Sequence, residues 1–140
     1  MITNVSLVTL YVTDQENHRI RFVTMAGAVS TWIGDDVAES RDGAVAQARF
    51  VKPQGLARDQ NGVIYVSDPS GHYIRRIGGG QVTTVAGNGT AGYLDRIDPM
   101  QASFFGLEGI DVTPEGDRLY IADGDLGEDL PYHRVRRLMF

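Results

Sequence analysis

Short alternations of apolar and polar residues, separated by glycine-rich gaps, run the length of the chain. The clearest stretch is residues 53–87, PQGLARDQNGVIYVSDPSGHYIRRIGGGQVTTVAG. Its runs GLARD, VIYVSD, HYIRRI and QVTTVAG mix β-branched and aromatic residues with polar ones at a period near two, the pattern of half-buried strands. The gaps QNG, PSG and GGG hold turn formers. Asn61-Gly62 predicts a type I′ hairpin with positive φ at both central residues. Gly78, Gly79 and Gly80 give the next hairpin the same freedom. Glycine recurs too often for a helix, and no 3.6-residue stripe persists through two turns. The unit reads as an antiparallel four-stranded meander.

The unit repeats. LYVTD at residues 10–14 returns as IYVSD at 64–68 and as LYIAD at 119–123, so that 54 positions separate Tyr11 from Tyr65 and 55 separate Tyr65 from Tyr120. His18 keeps step with His72, Ile20 with Ile74, Arg21 with Arg75, and Gly55 with Gly109. Gln47-Ala48-Arg49-Phe50 likewise matches Gln101-Ala102-Ser103-Phe104. The copies span about residues 1–34, 55–87 and 109–140. The first strand of copy one, ITNVSLV, has lost the glycine features of its counterpart. It is either a degenerate innermost strand or one released to pair elsewhere. The third copy carries a glycine- and acid-rich insertion, GDLGEDLPY, and ends after its third strand.

A small meander cannot bury its apolar face alone, so repeats of this size stack on one another. Four-stranded units of roughly forty to fifty residues have the size of propeller blades. The segments ARFVKPQGLARDQNGVIYVSDPSGHYIRRI and VTTVAGNGTAG, with NHRIR in the first copy, resemble the NHL-repeat family of β-propellers in its long-blade bacterial form. The resemblance covers nearly the whole chain and implies an all-β fold of about three blades, the last incomplete. It implies a six-bladed ring and a scaffolding role, since the fold hosts many functions. Three blades cannot surround a channel, and an open arc would leave an apolar blade face in water at each end. The expectation is a homodimer closing one ring, three blades from each chain. ITNVSLV of the partner would then supply the missing fourth strand of blade three. The rival expectation is a fragment of a longer protein.

Composition changes little in this picture. A hydrophobic fraction of 42% suffices for a core, and the absence of cysteine removes disulfide and thiolate chemistry. No apolar run approaches the roughly 18 residues of a membrane span. The N-terminus lacks the basic region of a signal peptide, so a cytoplasmic protein is expected.

Candidate chemistry is sparse. His18, His72 and His133 recur at one position of the repeat, which argues for a shared structural hydrogen bond near Asp14, Asp68 and Asp123. Trp32, Phe50 and Phe104 are expected as packing anchors, and GAVAQARF as a short helical turn. Arginines concentrate on strand three: Arg19, Arg21, Arg75, Arg76, Arg134, Arg136 and Arg137. A net charge of −5 and no accompanying aromatic residues argue against nucleic acid as a partner. Asp123, Asp125, Glu128 and Asp129 crowd the insertion and are the candidate metal ligands, calcium being the cation that such oxygen-rich loops suit. Their spacing does not match a twelve-residue calcium loop. No nucleophile elbow, phosphate loop, dinucleotide fingerprint or zinc-protease motif occurs.

Propeller ligands gather over the central channel, where links enter the innermost strands. Gln54 and Glu108 occupy those entries in register, and Asn88 and Asp35 follow the outer strands; these four are the candidate ligand-binding residues. Glu108-Gly109 is also similar to the entry glutamate that binds metal in six-bladed gluconolactonase-like enzymes, but the matching asparagine and aspartate ligands are not identifiable. A non-enzymatic propeller scaffold binding a protein or small ligand is therefore the expected role. A metal-dependent lactonase-like enzyme and an RNA-binding surface are the alternatives.

Overall fold

The computed structural model describes residues 9–124 and 133–140. The chain folds into three antiparallel sheets, one for each repeat. The first holds β1 (Thr9–Asp14), β2 (Arg19–Thr24) and β3 (Val29–Ile33). The second follows β4 (Gly43–Ala44) and contains β5 (Leu56–Arg58), β6 (Ile64–Asp68), β7 (Tyr73–Gly78) and β8 (Gln81–Ala86). The third holds β9 (Gly106–Val112), β10 (Arg118–Gly124) and β11 (Arg134–Met139). The strand orders β1-β2-β3, β5-β6-β7-β8-β4 and β9-β10-β11 confirm three propeller-type meanders. Two expectations about strands, ITNVSLV and most of the insertion, lie outside the described residues.

The local chemistry of two turns differs from expectation. At Asn61-Gly62 only Gly62 has positive φ, +84°. The Asp59 carboxylate accepts the N–H groups of Asn61 and Val63, so an aspartate cap does the work assigned to a type I′ turn. Positive φ at two successive residues instead occurs at Gly79 (60°) and Gly80 (74°), joining β7 to β8. GAVAQARF is not helical throughout. Gly43-Ala44 adds a fifth strand to the outer edge of β8, and a turn returns the chain inward.

The core lies between the sheets, not within them. One cluster joins the first and second sheets: Ile20 and Ile33 meet Phe50, Ile64, Val66, Ile77 and Val82. Trp32 packs against it, stacked on Phe22 with Tyr11 alongside, as expected of an anchor. The second cluster joins the second and third sheets through Tyr65, Ile74, Phe104, Leu107, Leu119 and Ile121.

Each seam is latched by one repeated device. The buried Asp68 carboxylate, at the end of β6, accepts the backbone N–H groups of Val51 and Lys52 at 2.9 and 2.8 Å. Asp123, at the equivalent place in β10, accepts those of Phe105 and Gly106 at 3.0 and 2.9 Å. Beside each carboxylate a buried arginine donates to the carbonyl just upstream: Arg75 to Arg49 and Arg136 to Ser103. The guanidinium planes cover Phe50 and Phe104, with 5.1 and 4.3 Å to the ring centroids. Carboxylate, arginine and aromatic thus hold the link between blades onto the blade it enters. Burying a charge is costly unless it is paired and hydrogen-bonded, and here it is both.

In the first sheet the latch has no link to grip among the described residues. Asp14 accepts from Asn17 at 2.7 Å and from Arg21 at 3.0 Å. Removing Asp68 leaves two link amides without their acceptor, whereas removing Asp14 breaks a partly exposed pair. Asp68→Ala is expected to cost about 3 kcal/mol or more and Asp14→Ala about 1 kcal/mol or less, read from urea unfolding midpoints. Equal losses at the two positions would contradict the latch.

Candidate functional site

The histidines at the repeat position adopt an unusual backbone: His18 and His72 both have φ of 58°. This left-handed conformation turns the chain from the second strand into the third. The His18 ring bonds the carbonyl of Val51, in the link of the next blade. The expected hydrogen bond to the strand-two aspartate is not formed, and it does not recur: His18 meets a link carbonyl, while the buried His72 Nδ1 has no partner among the described residues. The same corner explains two glycines. A side chain at Gly34 (φ +95°) or Gly87 (φ +105°) would collide with the carbonyl of His18 or His72. A hydroxyl completes the stitching: Thr13 donates to the carbonyl of Gln54 at 2.9 Å, and Ser67 to that of Glu108 at 2.7 Å.

Gln54 and Glu108 therefore stand at equivalent entries, each with its backbone fixed by the preceding blade. Gln54 also donates its N–H to the Ser67 carbonyl, and its side-chain oxygen accepts from Gln15 at 3.3 Å. It lines a depression of about 440 Å³ with Gln15, Lys52, Pro69, Ser70, His72 and Phe105. Here the loops between second and third strands meet the links that enter the inner strands. Lys52 extends across this face to Glu16 at 3.0 Å. Phe105 is 38% exposed and stacked on Tyr93, 5.3 Å between centroids. Glu108 is exposed and lines a separate hollow on the open side of the third sheet, with Asp123, His133 and Val135.

Asp35 and Asn88 are equivalent to each other, and both cap turns in the links. Asp35 accepts the N–H of Val37 and two hydrogen bonds from Arg49, while Asn88 accepts the N–H of Thr90 and donates to the Gln101 carbonyl. Neither lines the depression around Gln54. Asp123, offered as a metal ligand, is buried and engaged in the seam latch. Asp125, Glu128 and Asp129 lie outside the described residues. Among the described residues no group of three or more acids or histidines is placed to hold a metal.

The strand-three arginines bridge to acids: Arg21 to Asp14, Arg75 to Asp42, Arg136 to Asp95 and Asp123. The expectation that no aromatic accompanies them is corrected, because Arg75, Arg136 and Arg134 cover Phe50, Phe104 and Tyr93. The first two pairs are buried in the seams and cannot stack on a base.

The site residues that sequence reasoning missed are Lys52 and Phe105. Their signal is broken symmetry: Phe105 stands where the previous repeat has Val51, and Gly106 where it has Lys52. A position dictated by the fold is filled alike in each copy. These are not.

Electrostatics in the link are strong enough to shift titration. The hydrogen bonds from Arg49, followed by the Val37 N–H, hold the Asp35 carboxyl below the ordinary aspartate value of 3.8, and Asp35 and Glu39 raise Arg49 in return. Asn17 first and Arg21 second depress Asp14 in the same way. A carboxyl depressed on folding contributes stability above its unfolded pKa and loses it as pH falls through the folded one. Unfolding midpoints should therefore decline as pH drops below 3.8. Asp35→Asn and Asp14→Asn should each flatten that decline, and an unchanged slope in both would refute the assignment.

No protein-family model matches the chain. A human protein described as NHL repeat-containing protein 2 is 34% identical over 124 residues, covering 81% of this chain and 17% of its own length. The chicken protein of the same description is 40% identical over 85 residues. Among solved structures, a Bacteroides thetaiotaomicron protein of unknown function superposes with a TM-score of 0.79 at 25% identity, over 92% of this chain and 31% of that one. An auxiliary nutrient binding protein from the same organism gives 0.69 at 25% identity, over 82% and 32%. The chain thus spans about a sixth of the human relative and about a third of these solved chains. No helix among the described residues is long and apolar enough to cross a membrane.

Proposed function

The chain belongs to the NHL-repeat β-propeller family, and from that premise we propose that it serves as a non-enzymatic scaffold binding a small ligand or a protein segment at the channel mouth. The observation that carries this reading is the depression around Gln54. It joins an exposed aromatic face, Phe105, to the amides of Gln15 and Gln54 and the ammonium of Lys52. An apolar platform with a few convergent polar groups is the usual make-up of a small-molecule site. The likeness to a nutrient binding protein supports binding over catalysis.

The mouth becomes a closed rim only when blades flank it on both sides, and exposed end faces support a second copy in that place. Leu10, Val12 and Val29 are 52%, 42% and 62% exposed, while their equivalents Ile64, Val66 and Val82 are 2%, 0% and 0% exposed under a neighbouring sheet. At the other end Tyr120 and Val135 are 42% and 79% exposed, against 4% and 0% for Tyr65 and Ile74. One end is the face that receives a preceding blade, and the other is the face that receives a following one. Two copies joined head to tail, twice, cover all four and close a ring.

Two measurements test this. Light scattering at low micromolar concentration should give the mass of two chains, and a folded monomer would end the homodimer reading. In a thermal-shift screen of small molecules, compounds that stabilise the wild type should lose that effect in Gln54→Ala and Phe105→Ala. Hits indifferent to both substitutions would place binding elsewhere.

A further inference from the structure

The hollow around Gln54 differs in charge from others on the surface. The chain carries a net charge of −5, and hollows elsewhere on the blades hold acids: Asp14 on the first sheet, Glu108 and Asp123 on the third, Asp95 beside β11. The walls around Gln54 hold Lys52 and His72 and no acid. This hollow also lies over a seam and not on an end face. Gln15 comes from the first repeat, Lys52, Gln54 and His72 from the second, and Phe105 from the link into the third.

Several of its donors are not used by the fold. Gln54 accepts from Gln15 Nε2 on Oε1 at 3.3 Å, which leaves Gln54 Nε2 with no acceptor among the described residues. The Ser70 hydroxyl is exposed and has no partner among them either. His18 spends its ring on the Val51 carbonyl, whereas the buried Nδ1 of His72 is not committed to any described residue. The Lys52 ammonium meets Glu16 at 3.0 and 3.1 Å, and the Glu16 side chain is 77% exposed. A pair so open to water contributes little to stability, so an incoming anion can take the ammonium over. Phe105 is partly exposed, stacked on Tyr93 and pinned by its backbone N–H to Asp123. Its ring is a fixed aromatic platform beside these donors.

Resting on the reading of this hollow as the binding mouth, we propose that its ligand is a small organic carboxylate that carries a planar ring. The Lys52 ammonium and the Gln54 amide take the carboxylate oxygens, the Ser70 hydroxyl adds a donor at the rim, and Phe105 stacks the ring. Hydrogen bonds from an ammonium to a carboxylate are charge-assisted and strong. One ammonium with no arginine fork suits a single negative charge better than the nearly double charge of a phosphate.

The probes are benzoate, phenylacetate and cinnamate, each paired with its uncharged amide and titrated into the isotope-labelled full chain, with amide NMR shifts as the readout. The acids should shift the backbone amides of Lys52 and Phe105 and the side-chain amide of Gln54 saturably, about tenfold more tightly than the amides. Lys52→Met should remove that preference. The Asp68 latch survives the substitution, because it holds only the Lys52 backbone. Phe105→Ala should weaken acids and amides alike, and Glu16→Gln should tighten the acids by freeing the ammonium. Equal binding of acid and amide, or an acid preference that persists in Lys52→Met, overturns the carboxylate assignment even where Gln54→Ala shows the hollow to be the site. No saturable shift at these residues with any of the acids overturns it as well; the mouth itself is judged by the thermal-shift screen, which is not limited to acids. Tighter binding of phenyl phosphate than of every carboxylate would make a phosphate ester the ligand, which also overturns the proposal.

Discussion

A carboxylate that holds two backbone amides of a different segment is the interaction on which this architecture turns. Asp68 and Asp123 each sit at the end of a second strand, fully buried, and each fixes the link that has just crossed from the previous blade. Val51, Lys52 and Phe105 lie outside the strand ladders, so their amides depend on the carboxylate, and Gly106 opens β9. The arginine beside each carboxylate offsets its charge and holds the carbonyl one step earlier, while the aromatic below fills the space under the guanidinium. Position and direction of the incoming chain are therefore set before the inner strand begins. Without that constraint the inner strand could slide by one residue, which would turn its apolar side chains outward.

The same constraint explains why the core is divided. Apolar residues on either face of a sheet find partners only on the next sheet, so stability resides in the seams. Ile64 and Tyr65, adjacent in one strand, belong to different clusters for this reason. A repeat at the end of the array has one satisfied face and one facing water. The seam residues of the first and third sheets are as apolar as those of the second, and nothing in their composition marks them as terminal caps. The surfaces at Leu10–Val12–Val29 and at Tyr120–Val135 stay exposed where their equivalents in the second sheet are covered by a neighbouring sheet.

Much of this was legible in the sequence because repetition supplies an internal comparison. Tyr11, Tyr65 and Tyr120 in register fixed the second strands, and Phe50 with Phe104 fixed the anchors. What stayed hidden was pairing between segments distant in the chain. Nothing local says that Asp68 serves Val51 and Lys52, or that His18 reaches Val51; those contacts exist only once two blades pack. The turn at Asn61-Gly62 was misjudged because Asp59, two residues upstream, supplies the cap that would otherwise demand positive φ at both positions. The fifth strand at Gly43-Ala44 escaped notice because a two-residue bridge has no periodicity to detect. Asp35 and Asn88, expected at the ligand site, instead cap turns in the links, a role visible only once the links are folded.

Repetition also indicates where function must be sought. A scaffold of stacked copies imposes the same demand at each equivalent position, and whatever meets that demand is filled alike: aspartate at 68 and 123, arginine at 75 and 136, glycine at 34 and 87. A ligand that binds one mouth of the ring meets only some of the copies, so its contacts have no reason to recur. The entries to the second and third sheets differ at four successive positions, Val51 against Phe105, Lys52 against Gly106, Pro53 against Leu107 and Gln54 against Glu108. Those departures fall on the face where loops and links converge, and their backbones are held by the latch and the hydroxyl stitch. Variable side chains on a fixed backbone are what a propeller needs to change its ligand while keeping its fold.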